Sequence, residues 1–380
     1  MKASPTQILA EILTEINKLH FDREIRILNV CGGHERSISN AGLRTLLPKQ
    51  IHLIPGPGCP VCVCPSEIIN YAISLAQHKN IILACFGDMI NVPANNKKSE
   101  IQSLNEARQL GHEIAAVSSP AEVIRLAEKN IDKTIVFFIA GFETSMAPIV
   151  AMLDQLTHTR QPANIRFLLS AKKTWPIVAS MLDDPEHMLD GIIAPGHVAT
   201  VMGSNEWHFI PEQHNIACAV SGFTTLSVLE SIKSILNQIK NKKPVLDNCY
   251  KETVTNQGNL VAQNLMKKYL LTSDEAWRGI GIIKSSGFSL KKKYANYNAE
   301  MIIPANSSED RKNETPAGCD CPKIIMGKRS PVDCKLFGKP CSPSKPVGPC
   351  MVSAEGACNI WWHTNSTQLT QSYSNNRLNT

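Results

Sequence analysis

Apolar positions along the chain alternate between two periods. Ile8, Ile12, Ile16 and Leu19 recur at helical spacing and predict a helix over 5–20. The run Ile25-Arg26-Ile27-Leu28-Asn29-Val30 then reads as a strand, ending in the turn Cys31-Gly32-Gly33-His34-Glu35. Ile51–Ile54 gives a second strand, 66–78 a helix, and Ile81-Ile82-Leu83-Ala84-Cys85 a third strand. Ser99-Glu100-Ile101-Gln102 has the form of a capping box opening a helix to about Leu110. A strand over 113–118 meets Ser119-Pro120-Ala121-Glu122, an N-cap with proline at the first helical position and a capping acid. Strands over 134–140, 165–169, 191–194 and 216–220 alternate with helices over 145–157, 174–182 and 224–240. This alternation predicts an α/β fold with parallel sheets, organised as two side-by-side units with the break near residue 140.

After Lys240 the pattern changes. A helix over 250–269 is followed by Trp277-Arg278-Gly279-Ile280-Gly281 and a lysine-rich segment, and beyond Ala305 prolines and cysteines dominate. A region so poor in apolar residues suits organisation by a metal centre. The resulting division is a first α/β domain over 1–140, a second over 141–245, a Cys-rich domain over 246–364, and a polar tail over 365–380 expected to be disordered.

Composition narrows the location and the chemistry. Hydrophobic residues make up 43% and charged residues 19%, as in ordinary globular proteins. The longest apolar run, Thr134–Phe142, is too short to span a bilayer, and Glu11 interrupts any signal-peptide core. A net charge of +6 gives no argument for nucleic acid. The expectation is a cytoplasmic protein with no membrane or nucleic-acid partner. Thirteen cysteines in such a chain point to metal binding or redox chemistry rather than a disulfide scaffold. Cys85, Cys218 and Cys249 stand in apolar or helical surroundings and read as packing residues.

The others fall in two groups. Cys31 and the loop Gly56-Pro57-Gly58-Cys59-Pro60-Val61-Cys62-Val63-Cys64-Pro65 lie at strand ends, where open α/β sheets bind ligands and a following helix dipole favours thiolate. Cys59 and Cys62 have the C-x-x-C spacing of a redox pair or a soft-metal site. Cys31 with His34 supplies a thiolate and an imidazole suited to Fe(II) or zinc. Alternatively, His34 activates Cys31 as a nucleophile while Glu35 orients the ring. Asp88, Glu143 and His197 follow three further strands and converge on the same site if the sheet ends meet. Near the C-terminus, Cys319, Cys334, Cys341 and Cys358 can hold zinc or a [4Fe-4S] cluster, with Cys321 and Cys350 additional. Spacing alone leaves that choice open.

Taken together, Cys31-Gly-Gly-His-Glu35, Gly56-Pro-Gly-Cys-Pro-Val-Cys62, Phe86-Gly-Asp-Met89, Gly141-Phe-Glu-Thr144 and Pro195-Gly-His-Val198 resemble, in this order, the HypD family of [NiFe]-hydrogenase maturation proteins. Trp277-Arg-Gly-Ile-Gly281, Cys334-Lys-Leu-Phe-Gly338 and Cys350-Met-Val-Ser-Ala-Glu-Gly-Ala-Cys358 extend the resemblance over about residues 20–360. It implies an iron–sulfur scaffold that, with HypC, holds a transient iron and assembles its CN and CO ligands. Cyanide would come from a thiocyanate on HypE, and the finished Fe(CN)₂CO group would pass to the hydrogenase large subunit. It further implies that Cys319, Cys334, Cys341 and Cys358 ligate a [4Fe-4S] cluster and that Cys59 and Cys62 are redox-active. Cys31 and His34, with Cys62, belong to the iron site, while Glu143, His197 and Glu355 move protons or position ligands. In this scheme the cluster recharges the Cys59/Cys62 pair. Cys64 stands where the family pattern has a small polar residue, which opens an alternative disulfide. Rival readings are an iron–sulfur thiol–disulfide reductase and a non-catalytic binding module stabilised by zinc.

Overall fold

The computed structural model describes residues 4–96, 100–303 and 314–364. The tail over 365–380, and Ser99 of the expected capping box, lie outside these residues. Eleven strands are described: β1 (Ile25–Asn29), β2 (Ile51–Pro55), β3 (Ile81–Phe86), β4 (Ile114–Val117), β5 (Thr134–Gly141), β6 (Ile165–Ala171), β7 (Gly191–Pro195), β8 (Ala217–Ser221), β9 (Leu246–Asn248), β10 (Leu270–Trp277) and β11 (Gly281–Leu290). Two sheets are wholly parallel, with strand orders β2-β1-β7-β8-β9 and β4-β3-β5-β6, and β10 and β11 form an antiparallel ribbon.

The α/β class with parallel sheets is thus as the pattern predicts, but the strands are shared out differently. Residue 140 falls inside β5, in the middle of the second sheet. That whole sheet, β3 to β6, is inserted between β2 and β7. β1 closes the first sheet by pairing Ile27 with Gly191 and Leu28 with Ile192. Strand–helix alternation reports parallel pairing but not which sheet a strand joins, because that depends on contacts distant in sequence.

Near-continuous apolar strands are buried on both faces, as parallel sheets require. On β5, Val136, Phe138 and Ala140 enter one core while Ile135, Phe137 and Ile139 enter another. On β1, Ile25 and Ile27 face the helices Pro5–Asn17 and Thr225–Lys240, while Leu28 packs with Val178 and Met181 of the helix Thr174–Leu182. The helix expected from 99 begins at Leu104 instead: Ser103 is the N-cap and accepts from the Glu106 backbone N–H, and the Glu106 carboxylate accepts from the Gln102 backbone N–H, opening Leu104–Gln109.

The segment after 240 departs most from expectation. Of the helix expected over 250–269 only Leu260–Tyr269 is helical, and the chain then turns extended at Leu270 to enter β10. Gly279, with φ +69°, makes the β10–β11 turn in the left-handed region that glycine tolerates. No helix among the described residues is long and apolar enough to cross a membrane.

Candidate functional site

The carboxyl ends of β2, β1, β7 and β8 are adjacent, and each carries chemistry. Cys31 is the N-cap of the helix Gly32–Asn40. The thiol loop leaves β2 and lies directly on this turn, with Gly32 N–H donating to Gly58 O. A Cβ at Gly58 would sit 2.0 Å from Val30 O and 2.4 Å from Cys31 Cα, so only glycine allows the approach. Gly58→Ala is accordingly expected to displace the loop and destabilise the fold by about 3 kcal/mol or more, because the obstruction is backbone. Urea unfolding checks this; an unchanged midpoint contradicts the packing described.

Cys59 and Cys62 are joined as a disulfide with Cα atoms 5.3 Å apart, and Cys62 N–H points at the Cys59 sulfur at 3.2 Å. Cys64 does not join them. Its sulfur donates to Ser170 Oγ at 3.5 Å on the second sheet, and burial raises its pKa despite the helix that follows. Cys31, Cys59, Cys62, Cys350 and Glu355 line one narrow cavity. The two sulfur-rich regions of the sequence therefore meet, and their cysteines share one core with Cys321, Cys334, Cys341 and Cys358.

Burial pushes the Cys31 thiol up to about 11, although the Gly33 and His34 backbone N–H groups favour its anion. Burial, reinforced by the nearby Asp88, also raises Glu355. A carboxyl whose pKa burial raises, on the cavity of the cysteine pair, is placed to exchange protons there.

His34 lies off the cavity. Its ring stacks on Phe223 at 4.7 Å, and Phe223 stacks in turn on His197 at 3.8 Å. His34 Nε2 is 3.1 Å from Ser221 O and so carries the hydrogen, which leaves Nδ1 as a buried lone pair without a partner among the described residues. Burial lowers His34 to about 4, keeping the imidazole neutral. Glu35 does not orient this ring. Its carboxylate accepts from Asn29, Ser39, Arg44 and Trp361, and although burial opposes ionisation, Arg44 and these donors hold its pKa below the ordinary range.

Glu143 opens the helix Glu143–Thr159 at the end of β5, and its Oε1 accepts from the backbone and hydroxyl of Thr174 rather than from the thiol loop. Oε2 has no partner among the described residues, and burial raises the group to about 7. A folded pKa above the unfolded 4.5 gives stability that is fully present below pH 4.5 and lost as pH rises through about 7. Glu143→Gln is expected to remove that slope, worth ~3 kcal/mol at most, from unfolding curves at pH 5 and pH 8. An unchanged slope contradicts the assignment.

Near the C-terminus, Cys319 touches Cys321, which also meets Cys350 and Cys358. Hydrogen bonds from Cys321 and Cys350 lower the Cys358 pKa, while the same contacts raise Cys350. Val347 N–H points at the Cys341 sulfur at 3.4 Å, and Cys334 packs against Gly318 O. Among the described residues no three His, Cys, Asp or Glu side chains converge to hold a metal ion as they stand. Cys350, Phe223 and the buried cations Lys172 and Arg278 are site residues that pattern reading did not select. Of these, Cys350 stood in the run Cys350–Cys358 and Arg278 in the run Trp277–Gly281. Cys85 and Cys218 are buried packing residues as expected, while Cys249 is half-buried beside Asp247.

This arrangement defines an α/β protein that brings a disulfide-forming cysteine pair, a separate thiol and one C-terminal thiol, Cys350, to one cavity. The family model described as "HypD: Hydrogenase formation hypA family" matches residues 7–365. The chain is 37% identical over 344 residues to hydrogenase maturation factor HypD2 of Bradyrhizobium diazoefficiens, covering 89% of this chain and 88% of that one. It is 35% identical to HypD of Azotobacter vinelandii, covering 95% and 94%, and 34% identical to HypD of Escherichia coli K12, covering 90% and 89%. The chain belongs to the HypD family.

Proposed function

We propose that this chain is a hydrogenase maturation factor that, together with HypC, holds an iron ion at Cys31 while its cyanide and carbonyl ligands are installed. The cyanide arrives on a HypE thiocyanate. Breaking its S–C bond takes two electrons: Cys59 and Cys62 go from dithiol to disulfide, the HypE sulfur leaves as thiolate and cyanide passes to the iron. The dithiol releases two protons, and the HypE thiolate takes one. Glu355, on the same cavity, exchanges protons with these sulfurs. The iron is cargo, and the completed group goes to the hydrogenase large subunit.

The observation that carries this reading is the single cavity shared by Cys31, Cys59, Cys62, Cys350 and Glu355. Acceptor, reductant and proton source lie within one enclosure. Cys59 is 4% and Cys62 1% exposed, so a linear thiocyanate reaches them more readily than the disulfide of a folded protein. This disfavours a general thiol–disulfide reductase.

The C-terminal donors fit an iron–sulfur cluster. They are thiols, the ligand class such centres use, buried at Cys334, Cys341 and Cys358 and half-buried at Cys319, and a backbone N–H is aimed at the Cys341 sulfur. Cys319, Cys334, Cys341 and Cys358 would hold it, and when bound it would supply electrons one at a time. Cys350 touches Cys358 and also lines the cavity of the redox pair, so it lies between the two sulfur groups. Iron and acid-labile sulfide analysis of the anaerobically purified chain tests the fit. Both should be present in comparable amounts, whereas zinc without sulfide would favour a non-catalytic binding module.

A further inference from the structure

Arg278 is 1% exposed and reaches across the thiol-bearing segments. Its backbone N–H donates to Val63 O in the thiol loop at 3.0 Å. Nε donates to Glu314 O at 2.9 Å and Nη2 to Pro93 O at 2.7 Å, while Nη1 has no partner among the described residues. The following residue abuts the C-terminal thiol segment: a Cβ at Gly279 would lie 2.4 Å from Pro322 Cγ. The sulfurs of Cys319 and Cys321 sit together there, 2.6 and 2.8 Å from the corresponding position at Gly348. Cys64, Cys321, Cys319 and Glu314 are the groups whose negative charge, where ionised, would act on the guanidinium.

No carboxylate forms an ion pair with Arg278 among the described residues. The Glu314 carboxylate is engaged by the Ser66 N–H and hydroxyl, each at 2.8 Å. Lys172, the other buried cation, has Glu275 at 3.4 Å. A buried guanidinium with no counter-ion is costly, and the bonds to neutral carbonyls do not cancel its charge. Thiolates are the anions this environment can still provide.

We propose that Arg278 is the built-in counter-charge of the C-terminal thiolate centre and raises its reduction potential. The proposal rests on the reading that those thiols hold an iron–sulfur cluster. Reduction adds one electron and no proton to a centre that its thiolates already make anionic. A fixed positive charge in a region of low dielectric favours the more negative state. Arg278 is thus a positioning residue, acting through the field at the centre without touching substrate.

The test is an anaerobic redox titration of the full chain, followed by electron paramagnetic resonance, on wild type, Arg278→Gln and Arg278→Lys. In Arg278→Gln the reduction equilibrium should become at least about tenfold less favourable, a fall of ~59 mV for one electron. Arg278→Lys keeps the charge but not the planar hydrogen bonding, so it should fall by less than half as much. A variant with full iron and sulfide and an unshifted midpoint overturns the proposal, as does an equal fall in both variants, which marks a purely structural role. Should Arg278→Gln not fold, Arg278→Met, which keeps the apolar stem and removes the charge, decides: the midpoint should fall by the same ~59 mV, and an unchanged or raised value contradicts the proposal. A wild-type chain lacking iron and sulfide overturns the cluster reading and this inference with it, whereas a full centre with an unshifted midpoint overturns the inference alone.

Discussion

Cys31→Ser is expected to reduce hydrogenase maturation to background while leaving the fold intact. Serine has nearly the volume and hydrogen-bonding capacity of cysteine, so the helix Gly32–Asn40 keeps its N-cap residue. What is lost is a soft sulfur donor, and a hydroxyl does not replace it at an Fe(II) site. The thiol, pushed up to about 11 by burial, is protonated in the empty protein, so iron loading must displace its proton. Loading of the wild-type chain should therefore strengthen as pH rises, and this dependence should vanish in Cys31→Ser. Hydrogenase activity in cells whose only copy carries the substitution, with iron binding measured at two pH values, checks both statements. Cys249→Ser, half-buried beside Asp247 and outside the cavity, serves as the matched control. Maturation comparable to wild type in Cys31→Ser would remove the iron from this position.

The second large effect concerns Cys350. Its sulfur contacts those of Cys321 and Cys358, and it lines the cavity that holds Cys59 and Cys62. Serine there preserves the packing but cannot exchange sulfur with a neighbouring disulfide. Reduction of the Cys59–Cys62 disulfide under anaerobic conditions, two electrons and two protons in all, should slow in Cys350→Ser, because the neighbouring thiol that can attack the disulfide and form a mixed disulfide with one of its sulfurs is gone. Iron binding at Cys31 should be retained. Alkylation of free thiols at timed intervals, read by mass spectrometry at Cys59 and Cys62, follows the reaction. Equal rates in wild type and variant would show that electrons reach the pair by another path.

Much of this was legible in the chain because parallel α/β structure leaves strong local signals. The apolar runs of β1, β3 and β5, and the Ser-Pro start of the helix Pro120–Lys129, mark their own elements. The grouping of strands was not legible. Whether β3 joins β1 or opens a second sheet depends on partners such as Thr134 and Gly191, far away in sequence. The β10–β11 ribbon was missed because Leu270–Trp277 mixes polar and apolar residues without a clean period, and the surrounding helix pattern hid the switch at Leu270. At the site, Cys31, Cys59, Cys62 and Glu355 were found from their motifs, and the structure brings them to one cavity. His34 lay in the same motif, yet its ring is turned beneath Phe223, a placement that only β8 and its following turn decide. Arg278 gave no signal of burial, since an arginine in a glycine turn is ordinarily exposed.

The central claim is that the thiols gathered from both ends of the sequence assemble diatomic ligands on one iron. Infrared spectroscopy on the chain co-purified anaerobically with HypC tests it most directly. The account predicts cyanide and carbonyl stretching bands that are present in the wild-type complex and absent when Cys31 is serine. A wild-type complex that carries iron but shows no such bands, or a Cys31→Ser complex that retains them, would contradict it.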